Sequence, residues 1–203
     1  MTVYDLLAPV YGAWTALFEA KAHLRAAALL GESPCQHLLE VAVGTGTEFA
    51  VLSTDPGRTV CVGVDLSAAM LAQARRKIEP GARAILCQAD VRALPFRAAS
   101  FDCLLSCYLI DLLPENDITV VLEEFARVLR PKGRLVLVVM AEQAPVVQQA
   151  WMMLFRHVPA LVGGCRPIPA ANWLRTCGWH VERQEQITQS GFRSELLLAR
   201  LQF

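Results

Sequence analysis

Apolar positions along this chain switch between two spacings: short runs that are apolar throughout or alternate, and longer segments that repeat at helical spacing. His37–Val43 reads as a strand ending at Gly44, and Thr45–Ser53 opens a helix behind it. Thr59–Asp65 is a β-branched strand that ends in an acid. Ser67 is placed to cap Ala68–Ile78, a segment of good helix formers. Ala82–Gln88 and Phe101–Tyr108 give a third and a fourth strand. Val120, Val121, Leu122, Phe125 and Val128 put a helix over Glu115–Leu129, with Pro131 as its stop. Arg134–Ala141 is a fifth strand whose unbroken apolar run predicts burial on both faces. An amphipathic helix is predicted over Pro145–Val158, then a Gly/Pro-rich stretch to Pro169 and a short helix over Ala170–Cys177. Trp179–Thr188 and Phe192–Leu201 alternate as two strands joined by a turn at Ser190-Gly191, which makes the last strand antiparallel to its neighbour.

Strands and helices in this alternation predict an α/β fold with a mostly parallel sheet. The 203 residues suit one domain, and no repeat, low-complexity tract or linker divides them. With 54% apolar residues the chain has ample material for a core. Lys plus Arg balances Asp plus Glu at 19 each, so nothing advertises a nucleic-acid partner. The seven cysteines include no pair at metal-knuckle or redox spacing; they are expected as buried reduced thiols, and no metal site is expected. The first residues show no basic, cleavable leader. Leu135–Ala141, the longest clean apolar run, falls far short of the ~20 residues of a membrane span. A cytoplasmic protein is the expectation, with peripheral membrane contact and oligomeric state left open.

Chemistry concentrates after the first strand. In Glu40-Val-Ala-Val-Gly-Thr-Gly46 a strand runs into a glycine turn and then a helix. The glycines let a ligand approach the backbone, and the helix start offers free N–H groups to an anion. A dinucleotide fingerprint would need a third glycine at position 49, where this chain has Phe49. Asp65 ends the second strand, 19 residues past Gly46, where a carboxylate can accept both hydroxyls of a ribose. Asp90 follows the third strand, and an ionised carboxylate there suits an exocyclic amine such as that of adenine. All of these face one crevice if the strands are neighbours.

These segments resemble the class I S-adenosylmethionine-dependent methyltransferases, in the branch that holds ubiquinone/menaquinone C-methyltransferases and bacterial phospholipid N-methyltransferases. The resemblance runs from about Tyr4 to Gly133. It is carried by Leu39–Gly46, Gly63-Val-Asp-Leu-Ser67 with Met70, Ala89-Asp-Val-Arg-Ala-Leu-Pro-Phe96, Ser100-Phe-Asp102 and Arg127-Val-Leu-Arg-Pro-Lys-Gly133, with a weaker match at Leu174–Trp179. It implies a Rossmann-like sheet of seven strands with helices on both faces. Residues 1–34 would form an N-terminal lid, 35–141 the cofactor core and 142–203 a substrate-covering helix with terminal strands.

The resemblance also implies roles. Gly44, Thr45 and Gly46 would pack against the methionine part of S-adenosylmethionine, and Glu40 would fix the turn and the cofactor's amino group. Asp65 would hold the ribose, Leu66 and Met70 would line the adenine, and Asp90 with the Val91 amide would read its edge. Cys107 would lie near the sulfonium, and Tyr4 and Tyr11 would belong to the lid. Gly12 replaces the branch's usual acid, Asp111 stands where quinone-methylating relatives carry a basic residue, and Lys132 replaces a glycine.

In-line methyl transfer needs alignment more than proton chemistry. An aromatic wall from Tyr4, Tyr11 or Tyr108 would favour the sulfonium, and Asp111 or His180 would serve as a base if the acceptor must lose a proton. The expected function is methyl transfer to a small, hydrophobic or lipid-like acceptor, leaving S-adenosylhomocysteine. Two alternatives stay open at this point: a cofactor-binding regulatory module without catalysis, and a nicotinamide oxidoreductase.

Overall fold

A computed structural model describes residues 17–142 and 166–202. The helix expected over Pro145–Val158 lies outside the described residues, as do Tyr4 and Tyr11.

The elements run in chain order. Helix α1 (Ala20–Gly31) leads into β1 (His37–Val41), followed by α2 (Thr47–Ser53), β2 (Val60–Asp65), α3 (Ala68–Lys77), β3 (Ala84–Gln88) and β4 (Phe101–Cys107). A 3-10 turn at Ile110–Leu112 precedes α4 (Glu115–Val128), β5 (Leu129–Met140), α5 (Ala170–Thr176), β6 (Trp179–Gln189) and β7 (Phe192–Leu201). The seven strands form one sheet in the order β3-β2-β1-β4-β5-β7-β6. The first five are parallel, and β7 runs antiparallel to both β5 and β6. β7 thus sits inside the sheet, and β6, made before it, takes the edge.

Strand side chains alternate between two apolar layers, which is why the central strands read as unbroken apolar runs. Leu39, Leu104, Leu135, Leu137 and Leu197 pack with Ile118, Leu122 and Phe125 of α4 and Leu174 of α5. Leu38, Cys61, Cys103, Leu105, Val136 and Leu196 pack on the other side with Ala26 and Leu29 of α1, Phe49 of α2 and Leu71 of α3. Cys61 and Cys103 are buried thiols in that second layer, as expected, while Cys87 is half-buried.

Local signals behave as the sequence predicts at most joints. The Ser67 side chain caps α3 by accepting from the Met70 N–H at 3.1 Å. Ser190 and Gly191 both take positive φ, 50° and 79°, the geometry of a tight hairpin turn. The junction after α4 differs. Its helix stops at Val128, and Leu129 already pairs with Phe101 in β5, two residues before Pro131. Pro131 lies where the β4–β5 register shifts, an interruption that spares a residue lacking an N–H. Lys132 there adopts φ 65°, so the loop predicted between helix and strand is a bulged strand start.

Candidate functional site

The chain turns sharply at the carboxyl ends of β1 and β4, where Ala42 and Tyr108 take positive φ. β1 ends at Val41 because Ala42 takes φ 55°, and Gly44 and Gly46 follow at 53° and 72°. Gly46 is fixed by packing as well as by φ: a Cβ there would meet the Cβ of Ala74 on α3 at 2.4 Å. Position 49 is filled by a wholly buried Phe ring that packs over Gly63 of β2, where an added Cβ would lie 3.0 Å from the ring. The close helix–strand approach that a third glycine permits in a dinucleotide site is thereby replaced by an aromatic spacer.

Asp65 holds the turn from the side. Its Oδ2 accepts the Gly44 N–H at 2.8 Å and its Oδ1 accepts the Ser67 N–H at 2.8 Å. Each carboxylate oxygen can accept a further hydrogen bond, as a ribose requires. A cavity of about 320 Å3 opens beside it, lined by Ala42, Gly44, Leu66, Met70, Ala89, Asp90, Val91, Cys107 and Tyr108. Asp90 does not stand alone. Arg92 grips it through Nη2 at 2.6 Å and Nε at 3.0 Å, and also reaches Asp117 at 3.1 Å. The Arg92 guanidinium holds the Asp90 carboxyl below the usual carboxylate range, so it is an acceptor across the neutral pH range.

A second chamber of about 310 Å3 meets the first at Ala42, Gly44, Cys107 and Tyr108. Its walls are mostly apolar, from Ala20, Leu24 and Ala27 of α1 and Val51 and Leu52 of α2. Leu24 is 72% exposed and Val51 67%, both at its rim. Its polar residues are His23, Glu40, Thr45, Thr47 and Glu48. His23 Nδ1 is hydrogen-bonded to Glu48 Oε2, and Cys107 Sγ lies 3.7 Å from that same oxygen. Burial, reinforced by the Glu48 charge, pushes the Glu40 carboxyl well above its ordinary range. Burial and Glu48 likewise push the Cys107 thiol up to about 12. Burial alone would lower the His23 imidazole, but the Cys107 sulfur and the carboxylates of Glu19 and Glu48 outweigh it and raise it well above 6.5.

The residues expected from sequence therefore divide. Gly44, Asp65, Leu66, Met70, Asp90, Val91 and Cys107 line the first cavity; Glu40 and Thr45 open into the second; Gly46 lines neither and packs against α3. Tyr11 lies outside the described residues. Tyr108 lines both chambers at φ 50°, and its hydroxyl is hydrogen-bonded to Ser194 of β7 at 2.6 Å. Asp111 lines neither: wholly buried, it accepts the Met140 N–H at 2.9 Å and ties the 3-10 turn to β5. His180 sits on edge strand β6 opposite Arg200, also outside both chambers. Sequence reading missed His23 and Glu48, which lie 25 residues apart on different helices and meet only through the fold.

This donor set fits S-adenosylmethionine. The first cavity offers paired acceptors, Asp65 and Asp90, around an apolar slot; the buried Glu40 Oε2 has no hydrogen-bond partner and suits the amino group.

Comparisons with known proteins agree. Residues 38–133 match a family described as a methyltransferase domain. The ubiquinone/menaquinone biosynthesis C-methyltransferase of Syntrophotalea carbinolica is 30% identical over 168 residues, 80% of this chain and 70% of that protein. The phosphatidylethanolamine N-methyltransferase of Cereibacter sphaeroides is 38% identical over 104 residues, 50% of this chain and 49% of that protein. Among solved structures, a Haloferax volcanii protein in complex with the Trm112 methyltransferase activator superposes with a TM-score of 0.76 at 19% identity, covering 98% of both chains. The magnesium protoporphyrin IX methyltransferase of Synechocystis PCC 6803, with bound S-adenosylhomocysteine, gives 0.72 at 16% identity over 90% of this chain and 83% of that one.

Proposed function

The chain belongs to the class I S-adenosylmethionine-dependent methyltransferases, and from that premise we propose that its acceptor is a small apolar or lipid-like molecule. The carrying observation is the apolar chamber that shares Ala42, Gly44, Cys107 and Tyr108 with the cofactor cavity. An acceptor seated there reaches the cofactor across one wall, and the exposed Leu24 and Val51 extend that wall outward as an apolar entrance. The quinone- and phospholipid-methylating relatives support the same class of acceptor.

S-adenosylmethionine supplies an activated methyl group on a sulfonium, so the protein's part is to bind, orient and exclude water. Asp65 takes the ribose hydroxyls while keeping its bonds to the Gly44 and Ser67 amides. Leu66 and Met70 enclose the adenine, and Asp90, preset by Arg92, accepts from its amino group beside the Val91 N–H. Glu40 takes the cofactor's ammonium in the buried space below the turn, with Gly44, Thr45 and Gly46 shaping that turn. Cys107 and Tyr108 form the wall at the sulfonium, where the phenol face adds about 0.5–2 kcal/mol of attraction. Residues 35–141 act as the cofactor core, and α1 closes the acceptor chamber beside it.

The test is transfer of a labelled methyl group from S-adenosylmethionine to a panel: a long-tailed quinol, phosphatidylethanolamine in vesicles, and a water-soluble catechol. Labelling of a long-tailed substrate with little of the catechol is expected. The reverse preference would overturn the apolar acceptor.

A further inference from the structure

α1, α2 and the end of β4 bring a histidine, a glutamate and a cysteine to the floor of the apolar chamber. We propose that His23, Glu48 and Cys107 form a binding site for a thiophilic divalent cation of the zinc class, beside the methyl donor.

A ring nitrogen of His23, a Glu48 oxygen and Cys107 Sγ all lie within 4.8 Å of one another. Tetrahedral zinc with bonds of about 2.0–2.3 Å separates its ligands by about 3.6 Å; Cys107 Sγ stands 3.7 Å from Glu48 Oε2, while His23 Nδ1 and that oxygen are held closer by a hydrogen bond that the ion would replace, parting the two. Glu48 Oε1, in the wall of this chamber, is buried without a hydrogen-bond partner. Such an oxygen beside a hydrogen-bonded imidazole is costly unless a cation takes it up. Behind the imidazole, Glu19 Oε2 lies 3.8 Å from His23 Nε2, the place of an outer carboxylate that orients a ligating histidine. The mix of nitrogen, oxygen and sulfur selects zinc, cobalt or their neighbours over magnesium and calcium, which prefer oxygen alone.

Binding releases two protons to solvent, one from the Cys107 thiol and one from the His23 imidazole. Three protein ligands leave a fourth position open toward the chamber. An acceptor hydroxyl, amine or thiol bound there would lose its proton more readily. That last consequence rests on the methyl-transfer reading; the metal site does not.

The protein, purified without a polyhistidine tag and dialysed against a chelator, is titrated with Co2+. A single-site saturation with an intense thiolate-to-cobalt absorption band, displaced by Zn2+, is expected. Cys107→Ser should abolish the band, and His23→Gln and Glu48→Gln should each weaken binding more than about tenfold. Glu19→Gln, acting from behind the ligand, should weaken it about 10–100-fold. Cys177→Ser, a half-buried thiol outside the chamber, should leave the band unchanged. Thermal melts without metal establish that each variant is folded. No band at saturating Co2+, or a band that survives Cys107→Ser, overturns the site. Methyl transfer to the apolar panel is measured on loaded and metal-free protein; its absence in both sinks the acceptor reading and leaves the cobalt result standing.

Discussion

Two residues show how single positions set the crevice. Ala42 bends the backbone out of β1 at φ 55°, where an L side chain costs about 1–2 kcal/mol. Ala42→Gly removes that strain at the expense of a looser unfolded chain, so a net gain of up to about 1 kcal/mol is expected, read as a rise of roughly 2–4 °C in Tm. Asp65 works through two opposed oxygens, each accepting one backbone amide. Asp65→Asn keeps the shape but leaves one oxygen, turning the other acceptor into a donor that faces an N–H. S-adenosylhomocysteine should bind about 10–100-fold more weakly by calorimetric titration, since a hydrogen bond to a charged group is worth about 1.5–3 kcal/mol. These positions were legible because their signals are local: a glycine turn after a strand, an acid at a strand end. His23 and Glu48 carried no such signal, since their meaning lies in a contact across 25 residues that only the packing of α1 on α2 creates.

Among the elements, α1 forms one wall of the apolar chamber, packs on the sheet and is supported from a distance. Arg134, buried in β5, reaches the loop that follows α1: its Nη2 donates to Ser33 O at 2.8 Å and Pro34 O at 3.2 Å, and lies 3.3 Å from Leu30 O. Arg134→Met keeps the stem and strips these carbonyls of their donor. A loss of about 2–3 kcal/mol is expected in urea unfolding, with α1 amides exchanging before those of β1 and β4. Unchanged exchange in α1 would show that apolar packing alone holds the helix. The strand–helix order was legible from period, and the hairpin from Ser190-Gly191. The helix end before Pro131 was legible, but the strand start at Leu129 was not: proline stops a helix and also suits a bulged strand, and the pairing of Leu129 with Phe101 is what shows the second.

At the scale of the whole molecule, a buried acid couples the fold to pH. Burial pushes the Asp111 carboxyl from its ordinary 3.8 up to about 7. Between those values the folded protein keeps a proton that the unfolded chain has released, so rising pH favours unfolding. At about 1.4 kcal/mol for each pH unit, the whole window is worth on the order of 4 kcal/mol. Asp111→Asn retains an acceptor for the Met140 N–H and should not share this loss. Urea unfolding of both proteins from pH 4 to pH 7 should show wild type falling behind the variant; parallel curves would mean the carboxyl ionises without penalty. The strand order has a consequence in time. A ribosome delivers β6 before β7, yet among the described strands β6 pairs with β7 alone. Until those ten residues emerge, β6 lacks the described strand it pairs with, and the apolar edge of β5 lacks its neighbour. During synthesis this segment is therefore the interval in which a chaperone has most to hold and a stalled chain has most to lose.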